Sequence, residues 1–222
     1  MNDEITILIH GFGKNKNDMS YLEKGLSQFG FNVISVNLPT TFGSLNDCIK
    51  SLHFQVNDII MNHKKVHYVA HSMGGLIARY YIKSYKQDNV DKCVFIATPH
   101  KGSKLADIAD KIPLYSKIFR PIKHLRTTND ISSVILQKSS FGNLGLIAGT
   151  KNKNTLGKLF LSNKSDGRVE VSSVEIDDAD EFITFPFGHQ KIHHQYETLN
   201  AVKFFLRKGS FNSSRQMFGK WK

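Results

Sequence analysis

The sequence contains little cysteine and little proline, and it has no long hydrophobic run. Two cysteines and five prolines occur in 222 residues. Cys48 and Cys93 form no CxxC pair and no disulfide framework, so we interpret both as free, buried thiols. The longest apolar runs, such as residues 93–97, have the length of a strand, whereas a membrane-spanning helix needs about 18 residues. These absences argue against a disulfide-rich miniprotein and predict a soluble, folded chain.

Acidic residues are fewer than basic ones, with 19 Asp and Glu against 30 Lys and Arg, and the net charge is +11. A positive field attracts phosphate whatever the fold. Part of the excess, however, lies in residues 207–222, which contain no acid. No glycine-rich nucleotide motif follows any predicted strand. Nucleic acid is therefore an unexpected partner, and the candidate surface for the basic tail is an anionic membrane.

The N-terminus lacks the features of a secretory signal. Such a signal needs a basic start and then an apolar stretch of about 7–15 residues. Residues 1–4 are instead acidic, and they are followed directly by the short apolar run at residues 5–9. If Met1 is the native start, the sequence predicts a cytoplasmic protein.

What the sequence does contain is an alternation of short apolar strands with helical patterns. In the first helix, apolar residues recur every three or four positions, and Ser20 with Glu23 predicts a capping box at its start. Strands are predicted at residues 5–9, 31–36, 66–70, 90–97 and 144–148, and further helices at residues 44–62, 73–87 and 195–206. This alternation predicts an α/β fold, a doubly wound, mainly parallel sheet of about six strands with helices on both faces.

We predict one domain and one appendage. The domain spans residues 1–208, and residues 209–222 form a basic C-terminal tail. Residues 101–142 interrupt the alternation with prolines, aromatic residues and basic residues, and are a candidate lid or insertion.

The strongest chemical signal is a serine between a predicted strand and a predicted helix, in residues 70–75 (AHSMGG). A serine hydroxyl is a poor nucleophile that needs a base and an oxyanion site. A tight strand–turn–helix exposes it if the residues two before and two after it are small. Ala70 and Gly74 meet that requirement, so the segment fits G-x-S-x-G with alanine in the first place. Ser72 is the predicted nucleophile, and its neighbour His71 is expected to point to the opposite side of the chain.

Residues 70–75 resemble the nucleophile elbow of the bacterial α/β-hydrolase lipases and esterases, including small lipases with the same Ala-x-Ser-x-Gly variant. Other stretches resemble further motifs of these enzymes in the same order: residues 10–13 (HGFG), 97–107 (ATPHKGSKLAD), 147–150 (IAGT) and 165–169 (SDGRV). The resemblance covers roughly residues 5–207. It implies a compact α/β-hydrolase fold and ester hydrolysis.

Two backbone N–H groups are predicted to bind the oxyanion of a tetrahedral intermediate. One belongs to Met73, at the positive end of the helix that follows Ser72. The resemblance implies that the other belongs to Phe12. Gly11 lets this loop approach closely, and His10 is expected to orient its backbone.

The catalytic acid must lie between the nucleophile and the base in chain order. Asp166 is the predicted acid, because it lies in a Ser-Asp-Gly turn after a late strand and matches the resemblance. A compact acidic run supplies the alternatives, which are Asp177, Asp178, Asp180 and Glu181. Four acids so close together are more typical of a solvated surface than of a buried catalytic residue.

Three of the ten histidines follow Asp166 and keep the order that the resemblance implies. His189, which follows a Phe-Gly turn, is the predicted base, and His193 is the second choice. His194 is interpreted as lying at the start of the last helix. His189 and His193 are also four residues apart, a spacing that metal ligands use on a helix. No HExxH motif accompanies them and Gly188 favours a loop, so no metal or cofactor is predicted.

The sequence therefore predicts a serine hydrolase that cleaves small-molecule or lipid carboxylic esters through an acyl-enzyme on Ser72. An acyltransferase or a thioesterase would use the same three residues. An alternative of another class is a non-catalytic module on a hydrolase fold that binds anionic lipid or nucleic-acid surfaces.

Overall fold

The computed structural model describes residues 3–104, 107, 141–153, 161–162 and 164–211. Most of the predicted insertion at residues 101–142 and most of the tail at residues 209–222 lie outside these residues. Both remain predictions.

The described residues form one sheet of six strands. These are β1 (Glu4–Ile9), β2 (Val33–Ser35), β3 (Lys65–His71), β4 (Val90–Ile96), β5 (Asn143–Gly149) and β6 (Glu181–Phe185). Their order across the sheet is β2-β1-β3-β4-β5-β6, and every neighbouring pair is parallel. The predicted parallel, doubly wound sheet of about six strands is confirmed. Five strands lie where the apolar runs placed them, and β6 is an addition.

Helices cover both faces of the sheet. Those that lie within the described residues are α1 (Ser20–Gln28), α2 (Leu45–Met61), α3 (Met73–Ser84), the short α4 (Val171–Val174) and α5 (Tyr196–Lys208). Strand residues alternate between the faces. Ile7 and Ile9 of β1 therefore pack in the core with α2 and α3, whereas Leu8 packs with α1 and α5. Among the described residues, no helix combines the length and the apolar composition that a membrane crossing requires.

The helix starts differ in part from the predicted caps. A capping box is present at α2, where Ser44 and Asp47 exchange side-chain-to-backbone hydrogen bonds. The box predicted at Ser20 and Glu23 is wrong, because a 3-10 turn at Lys16–Met19 precedes α1 and Ser20 already has helical backbone angles. The Glu23 carboxylate instead accepts a hydrogen bond of 2.9 Å from the Ser35 hydroxyl.

The strand order places a crevice at the carboxyl ends of β1 and β3. The chain crosses from β1 to β2 on one side of the sheet, and from β3 to β4 on the other. Loops that leave two neighbouring strands in opposite directions open a gap between them, which is where ligands bind in such sheets. Ile9 and Ala70 are paired at this edge. Gly11 lies two residues after Ile9, and Ser72 lies two residues after Ala70. The fold therefore brings the predicted oxyanion loop and the predicted nucleophile turn together.

Candidate active site

Ser72 lies at a sharp turn between β3 and α3. Its φ and ψ angles are 54° and −127°, a backbone conformation that non-glycine residues seldom adopt. The turn is held by the Ser72 N–H, which donates to the Ile96 carbonyl, and by the Gly75 N–H, which donates to the Ser72 carbonyl. Such strain is characteristic of functional sites, where the surrounding structure imposes it.

Gly74 allows α3 to begin directly against β1. A Cβ atom at this position would lie 2.6 Å from the Ile9 carbonyl oxygen and 2.7 Å from the His10 carbonyl oxygen. Both neighbours are backbone atoms, which cannot rotate away as a side chain can. The small residue that the elbow motif requires therefore has a structural reason in this chain.

We expect Gly74→Ala to lower the free energy of unfolding by about 2 kcal/mol, because the added methyl group forces backbone apart in a packed core. Alanine is ordinarily the better helix former by about 1 kcal/mol, so the sign of the change is diagnostic. Urea unfolding measures it. Ser84→Ala, at the exposed end of α3, is the control and should change stability by no more than about 0.5 kcal/mol. A Gly74→Ala protein more stable than the parent would contradict the close approach.

Ser72, His189 and Asp166 are buried and form a continuous hydrogen-bonded series. The Asp166 Oδ2 atom lies 2.7 Å from His189 Nδ1, and His189 Nε2 lies 3.0 Å from the Ser72 hydroxyl. With a carboxylate at Nδ1, this nitrogen carries the proton, and Nε2 is left to accept the hydrogen bond of the hydroxyl. The arrangement is that of a base oriented by an acid and held against a nucleophile.

The loop at residues 165–169, here called the acid loop, fixes the Asp166 carboxylate. Its Oδ1 atom accepts hydrogen bonds from the N–H groups of Arg168 (2.9 Å) and Val169 (2.8 Å). The backbone carbonyl of Asp166 accepts a hydrogen bond of 2.9 Å from the His189 N–H. The acid loop therefore positions both the carboxylate and the backbone that carries the imidazole. We call residues 187–191, which follow β6, the base turn.

The structure brings both predicted oxyanion loops next to Ser72. Met73 is the first residue of α3, where helical N–H groups have no partner within the helix. The loop after β1 passes so close that a Cβ atom on Gly11 would lie 3.1 Å from the Ser72 Cβ atom. A small cavity of about 30 Å³ lies between Phe12, Ser72 and His189.

His10 ties the oxyanion loop to the segment after β2. Its Nε2 atom accepts a hydrogen bond of 3.0 Å from the Leu38 N–H, so Nδ1 carries the proton and donates to the Gly11 carbonyl at 3.0 Å. Burial lowers the pKa of His10, although the hydrogen bond to Gly11 acts in the other direction. A neutral His10 thus links the backbone of this loop to Leu38.

His71 does not point away from the site, contrary to the sequence prediction. It lines the same small cavity as Ser72, and its Nε2 atom lies 3.0 Å from the His189 carbonyl oxygen. Burial lowers the pKa of His71 well below its usual range, and the charges of His193 and His189 lower it further. A neutral His71 donates a hydrogen bond to this carbonyl and thereby holds the backbone of the base turn.

Asp18 and His193 complete this support. The His193 Nε2 atom lies 3.1 Å from Asp18 Oδ2, and the His193 ring stacks on His71 with centroids 3.9 Å apart. Burial tends to raise the pKa of Asp18, but the hydrogen bond and charge of His193, together with the charges of Lys14 and His194, lower it further than burial raises it. His193, the second choice for the base, is thus paired with Asp18, and His189 is the histidine that reaches Ser72.

One group of side chains has the composition of a metal site. Potential ligand atoms of Asp18, His71 and His193 all lie within 4.8 Å of one another. The planes of the two imidazole rings, however, are stacked only 25° from parallel. Their lone pairs lie in those planes and run side by side rather than converging on one ion. The arrangement therefore fits a hydrogen-bonded support better than a coordination site.

The alternative acids lie away from Ser72. Asp180 accepts a hydrogen bond from the N–H of Leu144, near the amino end of β5, and Glu181 begins β6. The amino ends of parallel strands lie at the opposite edge of the sheet from their carboxyl ends, where Ser72 is found. Asp177 is exposed, and Asp178 lies in the segment that precedes β6.

Three comparisons with known proteins show what this chain is similar to. A family model described as alpha/beta hydrolase fold matches residues 6–117. Triacylglycerol lipase 2 of Saccharomyces cerevisiae is 37% identical over 94 residues, which cover 39% of this chain and 28% of the yeast protein. The match thus spans less than a third of that relative.

Solved structures share the architecture over nearly the whole chain. The mature form of Bacillus licheniformis lipase BlEst2 superposes with a TM-score of 0.72 at 17% identity, covering 91% of this chain and 90% of that one. A thermophilic esterase from Thermogutta terrifontis gives a TM-score of 0.62 at 16% identity, covering 93% and 90%. At these identities the likeness is one of fold. With a family model matched over half of its length, the chain belongs to the alpha/beta hydrolase fold family.

Proposed function

We propose that this protein is a serine hydrolase that cleaves carboxylic esters through an acyl-enzyme on Ser72. The observation that carries the proposal is the hydrogen-bonded series from Ser72 through His189 to Asp166, next to two loops that offer backbone N–H groups. Nucleophile, base and orienting acid at hydrogen-bond distance are the parts that acyl transfer requires.

Acylation begins when the Ser72 Oγ atom attacks the ester carbonyl carbon and His189 Nε2 takes the hydroxyl proton. The carbonyl oxygen becomes an oxyanion, which the N–H groups of Phe12 and Met73 bind. Asp166 stabilises the imidazolium that forms and keeps its ring in place. As the intermediate collapses, the carbon–oxygen bond to the alcohol breaks, and His189 donates its proton to the leaving oxygen.

Deacylation repeats the same steps with water. His189 removes a proton from the water molecule, whose oxygen attacks the acyl carbonyl. A second oxyanion forms in the same place. The bond to Ser72 then breaks, His189 returns the proton to the Ser72 Oγ atom, and the carboxylic acid departs. Each proton that is taken up is given back, so the enzyme needs no cofactor.

The choice of ester as substrate is supported by the relatives, which bear the names triacylglycerol lipase, lipase and esterase. An acyltransferase or a thioesterase would use the same three residues. Water is the simplest acceptor for the acyl group, and we therefore propose hydrolysis of small-molecule or lipid esters.

A fluorophosphonate probe tests the proposal directly, because it forms a covalent bond only with an activated serine. We expect one adduct on the intact protein, located on Ser72 by peptide mass spectrometry, and loss of p-nitrophenyl ester hydrolysis in step with labelling. A panel of such esters from C2 to C16 gives the preferred acyl length. Labelling of another serine, or full hydrolysis after complete labelling of Ser72, would contradict the proposal.

A further inference from the structure

A cavity of about 580 Å³ lies beside His189, between three loops at the carboxyl ends of the strands. Each loop contributes a basic side chain to its wall: Lys151 and Lys153 after β5, Arg168 from the acid loop, and Lys191 from the base turn. The volume lies within the range of roughly 300–1,000 Å³ that small-molecule sites occupy. We call this cavity the basic groove.

Among the residues that the structure describes, no acidic side chain pairs with the cations of the basic groove. All four cations are exposed. Among the described residues that line the groove, one is acidic, Asp166. Its carboxylate already accepts hydrogen bonds from two backbone N–H groups and lies against His189, so it does not pair with the four cations. Like charges arranged around one concave site raise the local concentration of anions.

The basic groove adjoins the small cavity beside Ser72. The small cavity between Phe12 and Ser72 shares Arg168, His189 and Gln190 with the groove wall. A substrate held at Ser72 that passes these shared residues would enter the groove. The half-buried Phe187 also lines the groove and offers an apolar surface to the intervening methylene groups.

We propose that the basic groove binds an anionic group, a carboxylate or a phosphate, carried by the ester substrate several bonds from the carbonyl that is attacked. This inference rests on the proposed function and narrows it to esters that are charged at one end. The groove selects such substrates because three flexible lysines and one arginine surround the anion while Ser72 engages the ester.

Two pairs of soluble esters test the inference, each differing in one carboxylate. Mono-p-nitrophenyl suberate is compared with p-nitrophenyl octanoate for a charge on the acyl side, and 4-acetoxybenzoate with its methyl ester for a charge on the alcohol side. The readout is the ratio of kcat/KM for the anionic ester to that for its neutral partner. In at least one pair, we expect this ratio to fall about tenfold in the triple variant Lys151→Gln, Lys153→Gln, Lys191→Gln.

A matched triple variant controls for overall charge. Lys24→Gln, Lys50→Gln and Lys208→Gln remove three exposed cations from helices far from the groove, and this protein should keep the parental ratio. In 1 M salt, where the Debye length is about 3 Å, the parental ratio should fall towards that of the groove variant. Equal ratios in all three proteins, or equal losses in both triple variants, would overturn the inference. A preference for anionic esters that is seen only with esters in phosphatidylglycerol vesicles, and not with the soluble pairs, would also overturn it. In that case the cations attract the protein to an anionic surface and do not bind the substrate.

Binding keeps this inference separate from the proposed catalysis. The anilide of suberic acid, which retains the free carboxylate, and octananilide replace the esters in calorimetric titrations of the Ser72→Ala protein. We expect the carboxylate anilide to bind about tenfold more weakly to Ser72→Ala after the three groove lysines are also replaced. If this loss of binding is seen although the parent protein hydrolyses no ester, the anion site in the groove is supported and the hydrolase assignment fails. If esters are hydrolysed but both anilides bind equally, the groove assignment fails alone.

Discussion

Replacement of Ser72 by alanine is expected to lower kcat/KM for p-nitrophenyl butyrate at least about 10⁴-fold, since no other group at this position can form the acyl-enzyme. The alanine protein should fold like the parent. Ser72→Gly should be equally inactive but more stable than Ser72→Ala. The two variants therefore separate the chemistry of the hydroxyl from the conformation of the backbone.

The difference in stability follows from the backbone angles of Ser72. A φ of 54° costs a residue with a Cβ atom about 1–3 kcal/mol, which glycine avoids. Glycine also loses more conformational entropy on folding, at a cost of about 0.5–1 kcal/mol relative to alanine. We therefore expect Ser72→Gly to exceed Ser72→Ala by about 1 kcal/mol in the free energy of unfolding, measured with urea.

Two results would contradict this account. Substantial hydrolysis by freshly purified Ser72→Ala protein would exclude Ser72 as the nucleophile. Equal stability of the glycine and alanine variants would show that the elbow carries no strain. Ser84→Ala, which removes an exposed hydroxyl from the end of α3, is the matched control and should retain parental activity.

Replacement of Asp166 by asparagine should lower kcat by about 10⁴-fold without unfolding the protein. The side-chain oxygen of asparagine can still accept from the N–H groups of Arg168 and Val169, which hold Oδ1 of the native carboxylate. Its NH₂ group then faces His189 Nδ1. That nitrogen must become an acceptor, so the imidazole proton moves to Nε2, which can no longer take the proton of Ser72.

The opposite amide orientation would place two backbone N–H groups against an NH₂ group, so the wrong tautomer is favoured. Steady-state hydrolysis of p-nitrophenyl butyrate and the rate of fluorophosphonate labelling should fall together. Asp177→Asn, in the exposed acidic run, provides the control and should keep both rates. If kcat of Asp166→Asn lies within tenfold of the parental value, Asp166 is not the residue that orients His189.

The sequence pattern located the four interior strands and one of the two edge strands. β1, β3, β4 and β5 each contain a run of buried, mostly apolar residues, because neighbouring strands and helices cover them on both faces. β2, at one edge, was located although it is only partly buried. β6, at the other edge, was not located, because its first residue ends an acidic run that is typical of a solvated surface.

Some features of the site could also be predicted from the sequence, and others could not. Ser72 and Gly74 were predictable because the elbow places several steric demands on neighbouring residues. The orientation of His71 was not, since the positive φ of Ser72 interrupts the alternation of an extended strand. The contact between Asp18 and His193, 175 residues apart in the chain, left no pattern in the sequence.

By itself, the sequence determined the parallel α/β sheet and the residues with chemistry at its strand ends, because periodicity and short motifs are local properties of the chain. Only the tertiary structure decided which acid and which histidine face Ser72, and that four separate cations form one groove. Those relations depend on strand order, which brings the loops after β1, β3, β5 and β6 to the same edge of the sheet.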